Sequence, residues 1–253
     1  MRELWPGIDA FLFDLDGVLT PTAELHRQAW RATIAPFLAA RGGEGAGPAR
    51  PVEPYSEEDY FRHIDGKPRF EGVASVLESR GLRLPFGSVL DPPGEGSVGA
   101  LGNRKNAEFA RLLAAGGVAA YPGTAGVLEA LAAAGKRLAV VSSSKNAVPV
   151  LEAAGLTRYF ELVVDGVLAA REHLAGKPSP ETYLYAARRL GVRAGAAAVI
   201  EDAISGVEAG RAGAFGLVVG LDRGVGRQAL ERAGATMVID DIRDLLAPAR
   251  PEY

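Results

Sequence analysis

Residues 11–20 read Phe-Leu-Phe-Asp-Leu-Asp-Gly-Val-Leu-Thr. An apolar run ends in two carboxylates, Asp14 and Asp16, separated by one leucine. In extended backbone, side chains at i and i+2 point the same way, so both would face one small volume beyond a buried strand. Carboxylates this close repel unless a cation or a shared proton relieves them. A Mg²⁺ ion, which takes oxygen ligands, is one solution. One aspartate could then attack as a nucleophile while the other moves a proton. The same residues also suit a plainer role, two solvated acids at a strand end ahead of a glycine turn, and motifs this short recur by chance.

Carboxylates can be aimed in this way only if a buried strand delivers them. From Tyr121 onward the pattern alternates strand and helix. Helices are predicted over 124–134, 146–154, 180–190, 207–212 and 227–233, several of them closed by glycine. Strands are predicted over 137–141, 162–164, 197–200, 215–219 and 237–239. Such alternation implies an α/β fold with a doubly wound parallel sheet, whose ligands bind beyond the carboxyl ends of the strands. Ser142 follows one strand and Glu201-Asp202 follow another. Residues 22–117 break the pattern. Helices are predicted over 26–38, 56–64, 72–80 and 104–115, with loops over 41–54 and 81–99 where Gly and Pro concentrate. The expected organisation is therefore an α/β core of residues 1–21 and 118–253, with residues 22–117 inserted as a helical cap domain.

Composition narrows the function classes. The 253 residues are 48% apolar and 23% charged, ordinary for a soluble globular protein. No apolar run approaches the roughly 18 residues of a membrane helix, and the start has neither a basic region nor a hydrophobic signal core. A cytoplasmic protein is expected. The absence of cysteine excludes disulfides and thiolate metal sites. A net charge of −3 gives no reason to expect nucleic acid or an acidic membrane as partner. His26, His63 and His173 are too scattered to form a metal-ligand cluster. The oligomeric state is not legible in the sequence, and a monomer is compatible with it.

Four segments in order carry a resemblance: Asp14-Leu15-Asp16-Gly17, Ser142, Lys177 within Gly-Lys-Pro, and Glu201-Asp202. Together they resemble the motifs of the haloacid dehalogenase superfamily of phosphotransferases, which implies a Rossmann-like core. Within it the chain looks most like the β-phosphoglucomutases, over nearly its whole length. Thr22-Ala23-Glu24-Leu25-His26 resembles that family's hinge and first cap helix. Ser142-Ser143-Ser144-Lys145-Asn146 resembles its second motif, and Gly66-Lys67-Pro68-Arg69 and Arg104-Lys105-Asn106 resemble cap segments that touch a sugar phosphate. Two departures stand out. Pro21 replaces a frequent Asp and stiffens the hinge, and Ala203 replaces a hydroxyl residue after the fourth motif.

The resemblance implies roles. Asp14 would attack phosphorus and form an aspartyl phosphate, and Asp16 would serve as acid and base. Ser142 would hold phosphate oxygens, and Lys177 would balance charge. Mg²⁺ would be held by Asp14, the Asp16 carbonyl and Asp202, with Glu201 as ligand or as orienting neighbour. His26, Arg69, Lys105, Asn106, Ser144, Lys145 and Asn146 would bind substrate, a small-molecule sugar phosphate. Each has a plainer reading: Lys177 as a surface lysine, 142–146 as a polar helix cap, His26 as a packed helix histidine, Arg69 and Lys105 as exposed cations. The implied activity is interconversion of β-glucose 1-phosphate and glucose 6-phosphate through a bisphosphate. The alternatives are a sugar-phosphate phosphatase or, further off, a non-catalytic sugar-phosphate sensor.

Overall fold

Strand β1 (Ala10–Phe13) is four apolar residues, all fully buried. It lies at the centre of a six-stranded sheet with β2 (Arg137–Val141), β3 (Leu162–Val164), β4 (Ala197–Glu201), β5 (Leu217–Leu221) and β6 (Met237–Ile239), in the order β3-β2-β1-β4-β5-β6. Every pairing is parallel. Parallel sheets are covered on both faces, which is why these strands read as near-continuous apolar runs rather than as alternations. On one face Ala10 and Leu12 pack with Tyr183 and Ala186 of α8 (Glu181–Arg189) and Val207 of α9 (Ile204–Ala212). On the other, Phe11 stacks with Phe13, and Phe13 meets Phe160 edge-on.

The chain leaves β1 for β2 and β3 on one side, then crosses to β4, β5 and β6 on the other. Register places Phe13 beside Val140 of β2 and Ile200 of β4. The residues that follow these three strands therefore emerge side by side at the point where strand order reverses, where open α/β sheets bind ligands.

The structure, a computed structural model, describes residues 4–42 and 52–246. They form two compact units, Met1–Thr22 with Val118–Tyr253, and Ala23–Gly117. Of the predicted loop 41–54, positions 43–51 lie outside the described residues. No helix of the described residues is long and apolar enough to cross a membrane.

The sheet-bearing unit also holds α5 (Thr124–Ala133), α6 (Ala147–Ala153), α7 (Gly166–Arg171) and α10 (Arg227–Ala233). The helical unit is built from α1 (Thr22–Gly42), α2 (Glu57–Asp59), α3 (Arg69–Ser79) and α4 (Val98–Gly116) around Trp30, Ile34, Phe37, Val73, Val76 and Leu101. Several elements differ from expectation in their bounds, among them α1, α9 and β5, and three differences have a plain local cause. The helix predicted over 56–64 is one α-turn, fixed by a Ser56/Asp59 capping box, continued by a π-helical turn at Tyr60–Ile64. Helix α4 begins at Val98 rather than 104, because Ser97 caps the Ala100 N–H at 2.9 Å despite the glycines that follow. Helix α7 was not expected. Asp165 caps it, its Oδ1 accepting from the Val167 and Leu168 amides.

Candidate active site

The Asp14 N–H donates to Ile200 O at 2.9 Å, which extends the β1–β4 ladder by one rung and buries the carboxylate at the centre of the sheet edge. Lys177, only 1% exposed, reaches it: Nζ donates to Asp14 Oδ1 at 2.6 Å, to Glu201 Oε1 at 2.6 Å and to Val141 O at 3.1 Å. All three ammonium protons are used. The reading of Lys177 as a surface lysine is thereby overturned. Its place after β3 looks peripheral in sequence, but the side chain enters the core to meet two buried carboxylates.

Glu201 is fully buried and saturated with donors. Oε1 accepts from Lys177 and from the Tyr183 hydroxyl at 3.1 Å, and Oε2 accepts from the Asp202 and Ala203 amides, each at 2.9 Å. This leaves Asp202 as the acid of the pair whose carboxylate turns to Gly17. A Cβ at Gly17 would lie 1.9 Å from Asp202 Oδ2, and Gly17 has φ +90°, so both packing and backbone require glycine there. Gly206 likewise leaves room for Glu201, whose Oε1 would meet a Cβ at 1.7 Å.

The loop after β1 is held at several points. Gly17 N donates to Thr20 O at 2.8 Å, and the Arg223 Nε donates to Gly17 O at 2.9 Å with its guanidinium over the Tyr121 ring. The Thr22 hydroxyl donates to Asp16 Oδ1 and is itself 2.7 Å from the Thr20 hydroxyl. Beyond β2, Ser142 is buried and its Oγ accepts from Ser144 N at 3.1 Å; Ser144 Oγ accepts from Asn146 N at 3.1 Å. These are serine turns leading into α6, and the Asn146 side chain does not cap that helix. Lys145 packs over Gly166.

Charge in this cluster is unbalanced. Burial pushes the Asp14 carboxyl well above its ordinary pKa; Lys177 opposes this, while Glu201 and Asp16 push the same way. Burial alone would lower the Lys177 pKa, but Asp14 and Glu201 overcome it and raise it well above the usual lysine range. One cation thus serves several buried acids. Carboxylate oxygens of Asp14, Glu201 and Asp202 lie within 4.8 Å of one another. With the Glu201 oxygens already taken by their donors, Asp14 and Asp202 are left to offer oxygens to a hard divalent cation such as Mg²⁺, which fits the deficit of positive charge.

The other predicted site residues belong to the helical unit. Lys105 is buried in α4, hydrogen-bonded through Nζ to His26 Nδ1 of α1 and lying over the Trp30 and Phe109 rings at 5.2 and 5.1 Å. The reading of Lys105 as an exposed cation does not hold. The His26 ring stacks on Phe109 at 4.0 Å. Asn106 is half-buried on α4. Arg69 opens α3 and donates through Nη2 to Asn103 Oδ1 at 2.9 Å. Tyr183, Arg223 and Asn103 escape a sequence reading because their partners lie 18, 206 and 34 residues away. Only the need of a buried tyrosine hydroxyl for a partner hinted at the first.

Comparison with known proteins supplies the family. A model of haloacid dehalogenase-like hydrolases matches residues 8–213. The chain is 48% identical over 243 residues to a β-phosphoglucomutase of Mycobacterium tuberculosis, covering 94% of this chain and 92% of that one. It is 30% identical to a phosphorylated carbohydrates phosphatase of Thermotoga maritima, covering 92% and 94%. Among solved structures, a hydrolase from Pseudomonas syringae superposes with a TM-score of 0.74 at 26% identity, over 94% of this chain and 96% of that one. With the family model spanning most of its length, the chain belongs to the haloacid dehalogenase-like hydrolases.

Proposed function

We propose that the chain is a Mg²⁺-dependent mutase that interconverts β-glucose 1-phosphate and glucose 6-phosphate through an aspartyl phosphate on Asp14 and a sugar bisphosphate. The observation that carries this reading is the near end-to-end similarity, at 48% identity, to a β-phosphoglucomutase. Asp14, the Asp16 carbonyl and Asp202 would hold the ion, and bound there it would offset the charge of the carboxylates and of the phosphoryl oxygens. An Asp14 oxygen attacks phosphorus in line, and the bond from phosphorus to the sugar oxygen breaks. Asp16, held by the Thr22 hydroxyl, gives its proton to that departing oxygen and later takes the proton of the accepting hydroxyl. Ser142 Oγ already accepts from Ser144 N, which leaves its hydroxyl proton to donate to a phosphoryl oxygen. Lys177 keeps Asp14 aimed and Glu201 neutralised. Saturated as it is, Glu201 serves to position Lys177 and the amides of 202 and 203.

His26, Lys105, Asn106, Ser144, Lys145 and Asn146 are assigned to the sugar phosphate, and Arg69 to its non-reacting phosphate, where a guanidinium fork suits a phosphate. Residues 22–117 would act as the cap that excludes water while sugar accepts the phosphoryl group. The similarity to a phosphorylated carbohydrates phosphatase supports a second reading, in which water is the acceptor. A coupled assay separates the two: β-glucose 1-phosphate, Mg²⁺ and a trace of glucose 1,6-bisphosphate, following glucose 6-phosphate and inorganic phosphate together. Glucose 6-phosphate forming without matching phosphate release is the expected result. Phosphate release without isomerisation would make the chain a phosphatase.

A further inference from the structure

Arg69 is half-buried, and its Nε is fully buried with no hydrogen-bond partner among the described residues. Its one hydrogen-bonded partner among the described residues is neutral, the Asn103 carbonyl oxygen, and its guanidinium lies 4.7 Å from the Phe70 ring centroid. Other arginines of the helical unit meet carboxylates: Arg80 with Asp59, Arg27 with Glu24, Arg104 and Arg41 with Glu95. Burial lowers the Arg69 pKa, and no neighbouring acid among the described residues offsets that. A desolvated cation without an anion is costly unless an anion arrives.

Asn103 cannot turn its amide round. Nδ2 donates to two carbonyls, Asp91 O at 2.7 Å and Val89 O at 3.1 Å, so Oδ1 must face Arg69. Those carbonyls belong to the long segment ahead of α4, which is itself strapped down. Asp91 Oδ2 accepts from Ser88 N at 3.0 Å and Ser97 Oγ at 2.5 Å, and the Val98 and Gly99 amides donate to Pro85 O and Phe86 O. A Cβ at Gly99 would sit 2.1 Å from Ser88 O, so the strap lies directly on the helix start.

We propose that Asn103 is the positioning residue for Arg69, and that residues 85–97 form the frame that fixes its amide. A carboxylate at 103 would hold the guanidinium equally well and consume its charge. The neutral amide aims it and leaves the charge to an incoming anion, the non-reacting phosphate of a phosphorylated sugar; this rests on the function proposed above.

The test compares two phosphoryl donors, glucose 1,6-bisphosphate and acetyl phosphate, which has no second phosphate. Arg69→Ala, Asn103→Asp and Asn103→Ala are each assayed with both. The readout is the KM for the bisphosphate divided by the KM for acetyl phosphate, which a general loss of folded enzyme does not move. Arg69→Ala and Asn103→Asp are expected to raise that ratio about tenfold, and Asn103→Ala, which loosens the guanidinium but leaves its charge, about threefold. If Arg69→Ala raises the ratio while both Asn103 variants leave it at the wild-type value, the positioning role is wrong and the assignment of Arg69 stands. If Arg69→Ala leaves it unchanged, both the positioning role and the second phosphate site fall.

Discussion

Lys177 places three donors against three acceptors, Asp14, Glu201 and the Val141 carbonyl, in a spot sealed from water. Replacing it with methionine keeps the volume and removes the only cation bonded to those two acids among the described residues. Breaking a buried pair from one side is expensive because the partner charge remains, so Lys177→Met should lower unfolding free energy by about 3 kcal/mol. Chemical denaturation followed by circular dichroism measures this, and phosphoryl transfer should be lost in the same variant. A fully active variant of unchanged stability would contradict the account of this lysine. Spacing alone pointed to Asp14 and Asp16 as a pair, since i and i+2 on a strand share a side. Burial of Lys177 and of Lys105 was hidden, because lysine in a sequence carries no sign of the acid or aromatic rings that will desolvate it.

Elements place these residues through backbone constraints that a sequence shows only in part. The strands were legible because a parallel sheet buried on both faces demands unbroken apolar runs, and Phe11-Leu12-Phe13 and Val199-Ile200 have no other use. Helix α7 was not, because at six residues it is too short for a periodic pattern and opens on glycine. The start of α4 was masked by Gly99 and Gly102, which are there for packing: a Cβ at either would meet Ser88 O or the Phe70 ring. Gly17 shows a tighter constraint. Its positive φ and the close approach of Asp202 both forbid a side chain. Gly17→Ala should therefore push Asp202 from its place and cut turnover at fixed Mg²⁺ by about a hundredfold, with the Mg²⁺ concentration for half-maximal activity rising. Titration of activity against Mg²⁺ checks this, and an unshifted midpoint would show that Asp202 tolerates displacement.

For the molecule as a whole, the reversal of strand order at β1 gathers the residues after β1, β2 and β4 at one edge, and the alternating pattern from 121 onward was enough to foresee such a sheet. The helical unit holds Arg69, Lys105 and His26 on its own core, whose contacts are formed by helices 30 to 80 residues apart in sequence, such as α1 with α4 through His26 and Lys105. A phosphatase and a mutase share such a sheet and such motifs; in the proposed mechanism the two differ in whether water or a sugar takes the phosphoryl group from Asp14. The decisive measurement is a rapid-quench experiment with glucose 1,6-bisphosphate labelled in both phosphates, on wild type and Asp14→Asn, with β-glucose 1-phosphate added as acceptor. The account predicts label on the peptide containing Asp14, absent in Asp14→Asn, that then moves to sugar faster than to inorganic phosphate. Label on any other residue, or label from Asp14 passing to water ahead of sugar, would contradict it.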